Sequence, residues 1–380
     1  MPSFRGENRF RHDAVPAIGV LVSNLGTPAA PTARALRPYL REFLSDPRVI
    51  ELPRALWWLL LNLFVLPRRP RQSAALYRKV WRPDGSPLLV LTRRLAAGLA
   101  ERLEASARLP IRLALGMRYG EPSLAAAARE LADAGCRRLL VLPLYPQYSA
   151  TTTASTFDAL FAELATWRWV PELRTVAGYH DEPAYADALA ATVRELWQRE
   201  GEAERLVMSF HGMPRRYFES GDPYYCHCQN TARRVAARLG LADGRWLVTF
   251  QSRFGREEWL RPYTDETLRA LPGQGVRSVD VLSPAFAVDC LETLEELDGL
   301  NREIFEHAGG ERYRYVPCLN DRADHLDLLA ALVLRHLAGW LEEPREPEER
   351  ELVAAASARA ARAEAERARL PGWAPRPPEG

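Results

Sequence analysis

Six short runs of apolar residues recur along the first three-quarters of the chain. They are IGVLVSN from Ile18, IRLALGM from Ile111, RLLVLPLY from Arg138, RLVMSFH from Arg205, WLVTFQS from Trp246 and SVDVLSPAF from Ser278. Each is nearly continuous rather than alternating, the pattern of a strand covered on both faces. Segments of helical period lie between them, such as SLAAAARELADAG and CQNTARRVAARLG. Strand alternating with helix predicts an α/β protein built on parallel sheets.

The two halves echo each other in order. NLGTP at Asn24 resembles FHGMP at Phe210, MRYGEP at Met117 resembles SRFGRE at Ser252, and AGCRRLLVLPL near Gly135 resembles QGVRSVDVLSP near Gly275. The echo predicts two doubly wound, Rossmann-like domains, 15–180 and 181–341, with a cleft between them. Ligands of such sheets bind at the carboxyl ends of the strands. The unusual residues gather there: NLGTP, GMRYG, LYPQYS, FHGMP, QSRFG and AFAVDCLET each follow an apolar run.

The chain has 380 residues, 47% hydrophobic and 26% charged, with a formal net charge of +2. That is ordinary for a globular protein and gives no footprint of a nucleic-acid binder. Five scattered cysteines, Cys136, Cys226, Cys228, Cys290 and Cys318, point to a reducing compartment rather than a disulfide framework. The polar start, MPSFRGENRFRHD, has no signal- or transit-peptide pattern, so a cytoplasmic location is expected. Residues 342–380 turn Ala-rich and charged and end in Pro and Gly, which predicts a solvated tail, helical at first and then disordered.

The most apolar stretch, LWWLLLNLFVLP from Leu56 to Pro67, is too short to span a bilayer. Arg54 precedes it and Arg68, Arg69 and Arg71 follow it. A lip over about 54–71 is predicted, exposing apolar surface at a ligand mouth or a membrane interface; a plain core helix is the alternative.

Two stretches carry candidate chemistry. His211 ends an apolar run just before Gly212 and Pro214, and imidazole is suited to proton exchange near neutral pH. In VDCLETLEELD, a helix starting near Asp289 places Asp289, Glu292 and Glu296 on one face and turns Glu295 and Asp298 away as solvated charges. Helix capping accounts for Asp289 equally well. His211 and Glu292 would offer a divalent ion one imidazole and one carboxylate, too few for a tight cage and suited to an ion that must leave. Tyr77, Tyr119, Tyr145, Trp259 and Phe286 suggest a large flat ligand, and Arg69 and Arg118 suggest that it is anionic. The Cys226–His227–Cys228 triplet has no second pair at zinc spacing.

NLGTP, GMRYG, LYPQYS, SFHGMP, GDPYYCHCQNTAR, QSRFGREEWL and AFAVDCLETLEELD together resemble the ferrochelatases of proteobacteria, in order, over about residues 17–340. The resemblance implies insertion of Fe²⁺ into protoporphyrin IX to give protohaem, in a cleft between two Rossmann-like domains. It makes His211 and Glu292 facing active-site and metal-handling residues, with Asp289 and Glu296 on the acidic helix. Leu25, Arg69, Tyr77, Arg118, Tyr119, Tyr145, Ser252, Trp259 and Phe286 fall on substrate-contacting positions. Cys290 stands where animal members carry a second histidine, and Ala150 where they carry a cluster cysteine. The expectation is therefore no iron–sulfur cluster and no other cofactor, iron being a substrate. A monomer, peripheral on the inner membrane if the lip binds lipid, completes the expectation. A chelatase for coproporphyrin or another metal, or a tetrapyrrole carrier, are the alternatives.

Overall fold

The computed structural model describes residues 4–6, 17–106, 110–255, 257–341 and 349–369. Eight parallel strands form two four-stranded sheets. The first contains β1 (Ala17–Gly26), β2 (Ile111–Tyr119), β3 (Cys136–Pro143) and β4 (Glu172–Thr175). The second contains β5 (Arg205–His211), β6 (Trp246–Gln251), β7 (Ser278–Leu282) and β8 (Arg312–Val316). Their orders, β2-β1-β3-β4 and β6-β5-β7-β8, are the same pattern used twice. The sequence echo has a further member in space. After β2 the carbonyl of Pro122 accepts from the Met117 N–H at 2.6 Å, and after β6 that of Pro262 accepts from Phe250 at 2.8 Å. Both prolines follow cis peptide bonds.

β4 and β8 escape the apolar pattern. Each forms one edge of its sheet, the other edge being β2 or β6, and they read ELRT and RYRYV, so that edge needs no apolar cover. In β8, Arg314 has a structural task. Asp280 lies fully buried in β7, and Arg314 meets both its carboxylate oxygens, at 2.7 and 2.9 Å. Trp197 donates to the same carboxylate at 2.6 Å.

The halves share one core. The helix Ala323–His336 follows β8 yet packs on the helix Pro87–Ser106 of the first half. Gly98 permits this approach, since a Cβ there would stand 2.7 Å from Leu326 Cδ1. Leu326, Leu329 and Val333 thereby join Val20, Leu95 and Leu140 in a single apolar cluster that also holds Leu206 and Met208. In the tail, Glu349–Ala368 forms an α-helix, as the Ala-rich, charged stretch there predicted. The segments 342–348 and 370–380 lie outside the described residues.

Two predictions follow from buried polar groups. Replacing Arg314 with Met leaves the Asp280 carboxylate buried without its cation and should cost about 3 kcal/mol in denaturant unfolding; a change of a few tenths would contradict the pairing. The second concerns histidines kept neutral. His325 is fully buried, its Nδ1–H donates to Asn320 O at 2.8 Å, and its Nε2 has no partner. Burial pushes its pKa down to about 4. His180 stacks on His227 with ring centroids 3.6 Å apart. Burial, and then the neighbouring ring, push His180 to about 4, and burial lowers His227 as well. A depressed histidine contributes stability above its unfolded pKa, near 6.5, and loses it as pH falls toward the folded value. The melting temperature should therefore fall between about pH 6.5 and 4; a rise over that interval would contradict the assignment.

Candidate active site

The carboxyl ends of β1, β3 and β5 open onto a cavity of about 380 Å³. Its walls are mainly apolar and aromatic, and they include Tyr77, Tyr145, Trp259 and Phe286. His211 ends β5 and projects into it. The backbone turns at once, because the Gly212 N–H bonds the Gln251 carbonyl of β6 at 2.8 Å. A Cβ on Gly212 would lie 2.6 Å from that same oxygen, so glycine is required for the two strand ends to meet.

The turn also orients the imidazole. His211 Nδ1 lies 2.6 Å from the Gly212 carbonyl oxygen. A carbonyl only accepts, so Nδ1 carries the hydrogen and the Nε2 lone pair is left to take a proton or a metal. The Phe286 ring stands 6.3 Å away, centroid to centroid.

Glu292 lines the same cavity. It begins a ten-residue π-helix, Glu292–Asn301. Such a turn closes i→i+5 and is often found at functional sites. In it, residues four apart stay on one face while residues three apart diverge. Glu292 and Glu296 therefore align, and Glu296 is gripped by the N–H of Ser252 at 2.7 Å and by the Ser252 hydroxyl. Ser252 has φ 64°, a left-handed conformation that aims both donors at one carboxylate. Burial raises the Glu296 pKa above the ordinary carboxylate range. The Ser252 hydrogen bonds and His211 work against that rise, and the Glu292 charge adds to it.

Asp289 is placed differently from the sequence expectation. It precedes the helix rather than lying on its face, and it does not line the cavity. Its carboxylate accepts from Tyr315 at 2.6 Å, Asn320 at 2.7 Å, Thr293 at 3.1 Å and the Cys318 N–H at 3.3 Å. With four donors satisfied, it anchors the loop that launches the acidic helix. Glu295 does leave the Glu292 face, but it is not a solvated charge: it pairs with Lys79 at 2.7 Å and its side chain is 11% exposed.

Residues 17–337 match the ferrochelatase family model. The chain belongs to the ferrochelatase family. It is 56% identical over 340 residues to the ferrochelatase of Nitrosococcus oceani, covering 90% of this chain and 92% of that one. It is 54% identical to that of Thioalkalivibrio sulfidiphilus over 369 residues, 97% and 98% of the two chains. Among solved structures, SirB from Bacillus subtilis with Fe³⁺ superposes with a TM-score of 0.53 at 10% identity, covering 86% of this chain and 98% of that one. That likeness concerns the fold alone.

Within this ferrochelatase-family cavity, Leu25, Tyr77, Tyr145, Trp259 and Phe286 lie on the wall as expected. Arg69, Arg118, Tyr119 and Ser252 do not. Arg69 is exposed, with its guanidinium 5.4 Å from the ring centre of Phe254, a wall residue. Arg118 and Tyr119 are committed beneath the wall. Arg118 bonds Asp46 and, at 2.6 Å, Ser155, and the Tyr119 hydroxyl donates to Asp46 at 2.8 Å. Burial works to raise the Asp46 pKa, but the hydrogen bonds from Ser155, the Arg48 N–H and Tyr119, with the Arg118 charge, hold it below the ordinary range.

Several wall residues carry no strand-end signal. Tyr39, for example, lies on the amphipathic helix Ala33–Ser45, where its spacing marks it only as a core position. The Gln147 Oε1 and the Tyr145 hydroxyl are buried on the wall without a hydrogen-bond partner, which suits a wall that meets a ligand or water.

The π-helix orders the carboxylates. Glu292→Gln should lose activity severely and Glu296→Gln partly. Glu295→Gln should turn over at close to the wild-type rate, because its carboxylate pairs with Lys79 off the cavity wall. Steady-state rates with circular dichroism decide it; Glu295→Gln as inactive as Glu292→Gln would contradict the facing assigned to this helix.

Proposed function

We propose that the protein inserts Fe²⁺ into protoporphyrin IX, releasing two protons and forming protohaem. The observation that carries this is the meeting of an imidazole with a free Nε2 and the Glu292 carboxylate in one aromatic-walled cavity, with Glu296 next along the same helix face. Metallation needs those parts. Two pyrrole N–H bonds must break and release their protons as the ion bonds to the four ring nitrogens. A flat macrocycle shields its nitrogens, so the walls must hold it bent, a distortion of roughly a few kcal/mol drawn from binding. His211 Nε2 accepts a proton, and Glu292 and then Glu296 pass a proton or the ion along the acidic face. The raised pKa of Glu296 suits it to hold and release a proton.

The proposed reaction uses no resident cofactor. Iron enters it as a substrate, and Cys136, Cys228, Cys290 and Cys318 are buried.

The lip also bears on supply of the substrate. It is helical from Arg54 to Leu60, passes through a π turn at Leu61–Val65 and continues as Leu66–Val80. The wide turn precedes Pro67 and Pro70, which have no N–H to donate. Trp58, Leu63 and Phe64 are 63%, 61% and 56% exposed. Trp57 and Leu61 turn inward, Trp57 donating to Leu44 O at 2.6 Å. No helix among the described residues is long and apolar enough to cross a membrane. The proposed placement is peripheral, with the exposed lip residues dipping into the cytoplasmic face of a membrane that carries the poorly soluble porphyrin.

The test of the reaction is anaerobic incubation with protoporphyrin IX and Fe²⁺, followed by absorbance. Haem should form at a rate proportional to enzyme; turnover with coproporphyrin or Co²⁺ alone would overturn the substrate assignment, and binding without turnover would make the protein a carrier. For the lip, polar substitution of Leu56, Trp58, Leu63 and Phe64 together should abolish flotation with anionic liposomes. Unchanged flotation would contradict the membrane role.

A further inference from the structure

A porphyrin with carboxylate arms needs cationic partners, and the cavity offers few. Among the described residues, Arg216 is the sole lysine or arginine on its wall; the carboxylates there are Glu51, Glu257 and Glu292, beside the His211 imidazole. Arg216 lies on the short helix Arg215–Glu219, just beyond the strand end that carries His211. Its Nη1 meets Glu51 Oε2 at 2.6 Å, and its Nε meets Glu257 Oε1 at 2.5 Å. Glu51 belongs to the first half and immediately precedes the lip, whereas Glu257 belongs to the loop after β6. One guanidinium thus ties the two sides of the mouth together.

The site is built to hold that guanidinium in place. It lies 4.4 Å from the Tyr217 ring centre, and its Nη2 is 3.3 Å from the Tyr217 hydroxyl. That hydroxyl donates in turn to Val49 O at 3.2 Å, across the mouth. Tyr217 is buried and fixed, while Glu51 and Glu257 are about half exposed. Exposed ion pairs contribute little net stability, so either carboxylate can be exchanged for one from a ligand. A guanidinium takes carboxylates through paired N–H donors, and here Nη1 faces Glu51 while Nη2 is turned to the Tyr217 hydroxyl.

We propose that Arg216 is a substrate-recognition residue that takes a carboxylate of the macrocycle in exchange for Glu51, releasing the lip side of the mouth. This rests on the porphyrin assignment above. Neither arginine expected from the sequence is in this position, since Arg118 is held by Asp46 and Ser155 and Arg69 lies outside the wall.

The test titrates protoporphyrin IX, and separately its dimethyl ester in detergent, by fluorescence, and measures turnover with the free acid. Arg216→Gln should raise Kd and KM for the acid by on the order of tenfold with kcat little changed, and should leave the ester's Kd unaltered. Glu51→Gln should leave Kd for the acid unchanged or lower it, because the competing carboxylate is gone. Acid binding by Arg216→Gln equal to wild type overturns the inference. So does equal weakening of acid and ester, or a loss in Glu51→Gln that matches Arg216→Gln, since each marks a structural strut. Wild-type protein that binds neither porphyrin overturns the substrate assignment, and this inference with it.

Discussion

A parallel sheet forces every connection to cross back over it, so all its strands end at one edge. In this chain that constraint operates twice, with the same strand order, and the cavity lies where strand ends of the two sheets come together. Other features of the site follow from how closely those ends approach. β5 and β6 meet so tightly at Gly212 that only glycine fits, and the same turn presents the carbonyl that fixes the His211 imidazole. The imidazole is thus oriented by a main-chain carbonyl, a partner with no side-chain entropy of its own to lose.

The wall at Glu292 is organised differently. A π-helix keeps Glu292 and Glu296 in line, and its anchor is Asp289, saturated by hydrogen bonds from Thr293, Tyr315, Cys318 and Asn320. Asn320 connects this anchor to His325, whose Nδ1–H holds the Asn320 carbonyl. The acidic row is therefore tied to the helix that joins the two halves, and cleft geometry and acid stability share the same buried groups.

β1, β2, β3, β5, β6 and β7 were legible because each carries a nearly continuous apolar run. β4 and β8 were not, because an edge strand with an exposed side can carry arginines. His211 and Glu292 were legible from a strand end and an acidic run. Asp289 was misplaced because an α-helical spacing was applied to a segment that starts later and winds as a π-helix. Arg118 and Tyr119 sit at a strand end, as the pattern required, yet they point to Asp46 and not to the cavity. Arg216 left no signal at all, since a charged residue two positions past a proline reads as an ordinary solvated one. Position along a strand can be read from sequence; the direction of a side chain at its end depends on partners far away in the chain.

The central claim is that His211 Nε2 takes a pyrrole proton as the metal enters. The most direct measurement loads His211→Ala with protoporphyrin IX, mixes it anaerobically with Fe²⁺ and follows a single turnover by absorbance. The porphyrin should bind as it does to wild type, while metallation slows by about a hundredfold or more, the usual weight of a positioned base. A rate within about tenfold of wild type, a barrier change under roughly 1.4 kcal/mol, would contradict it.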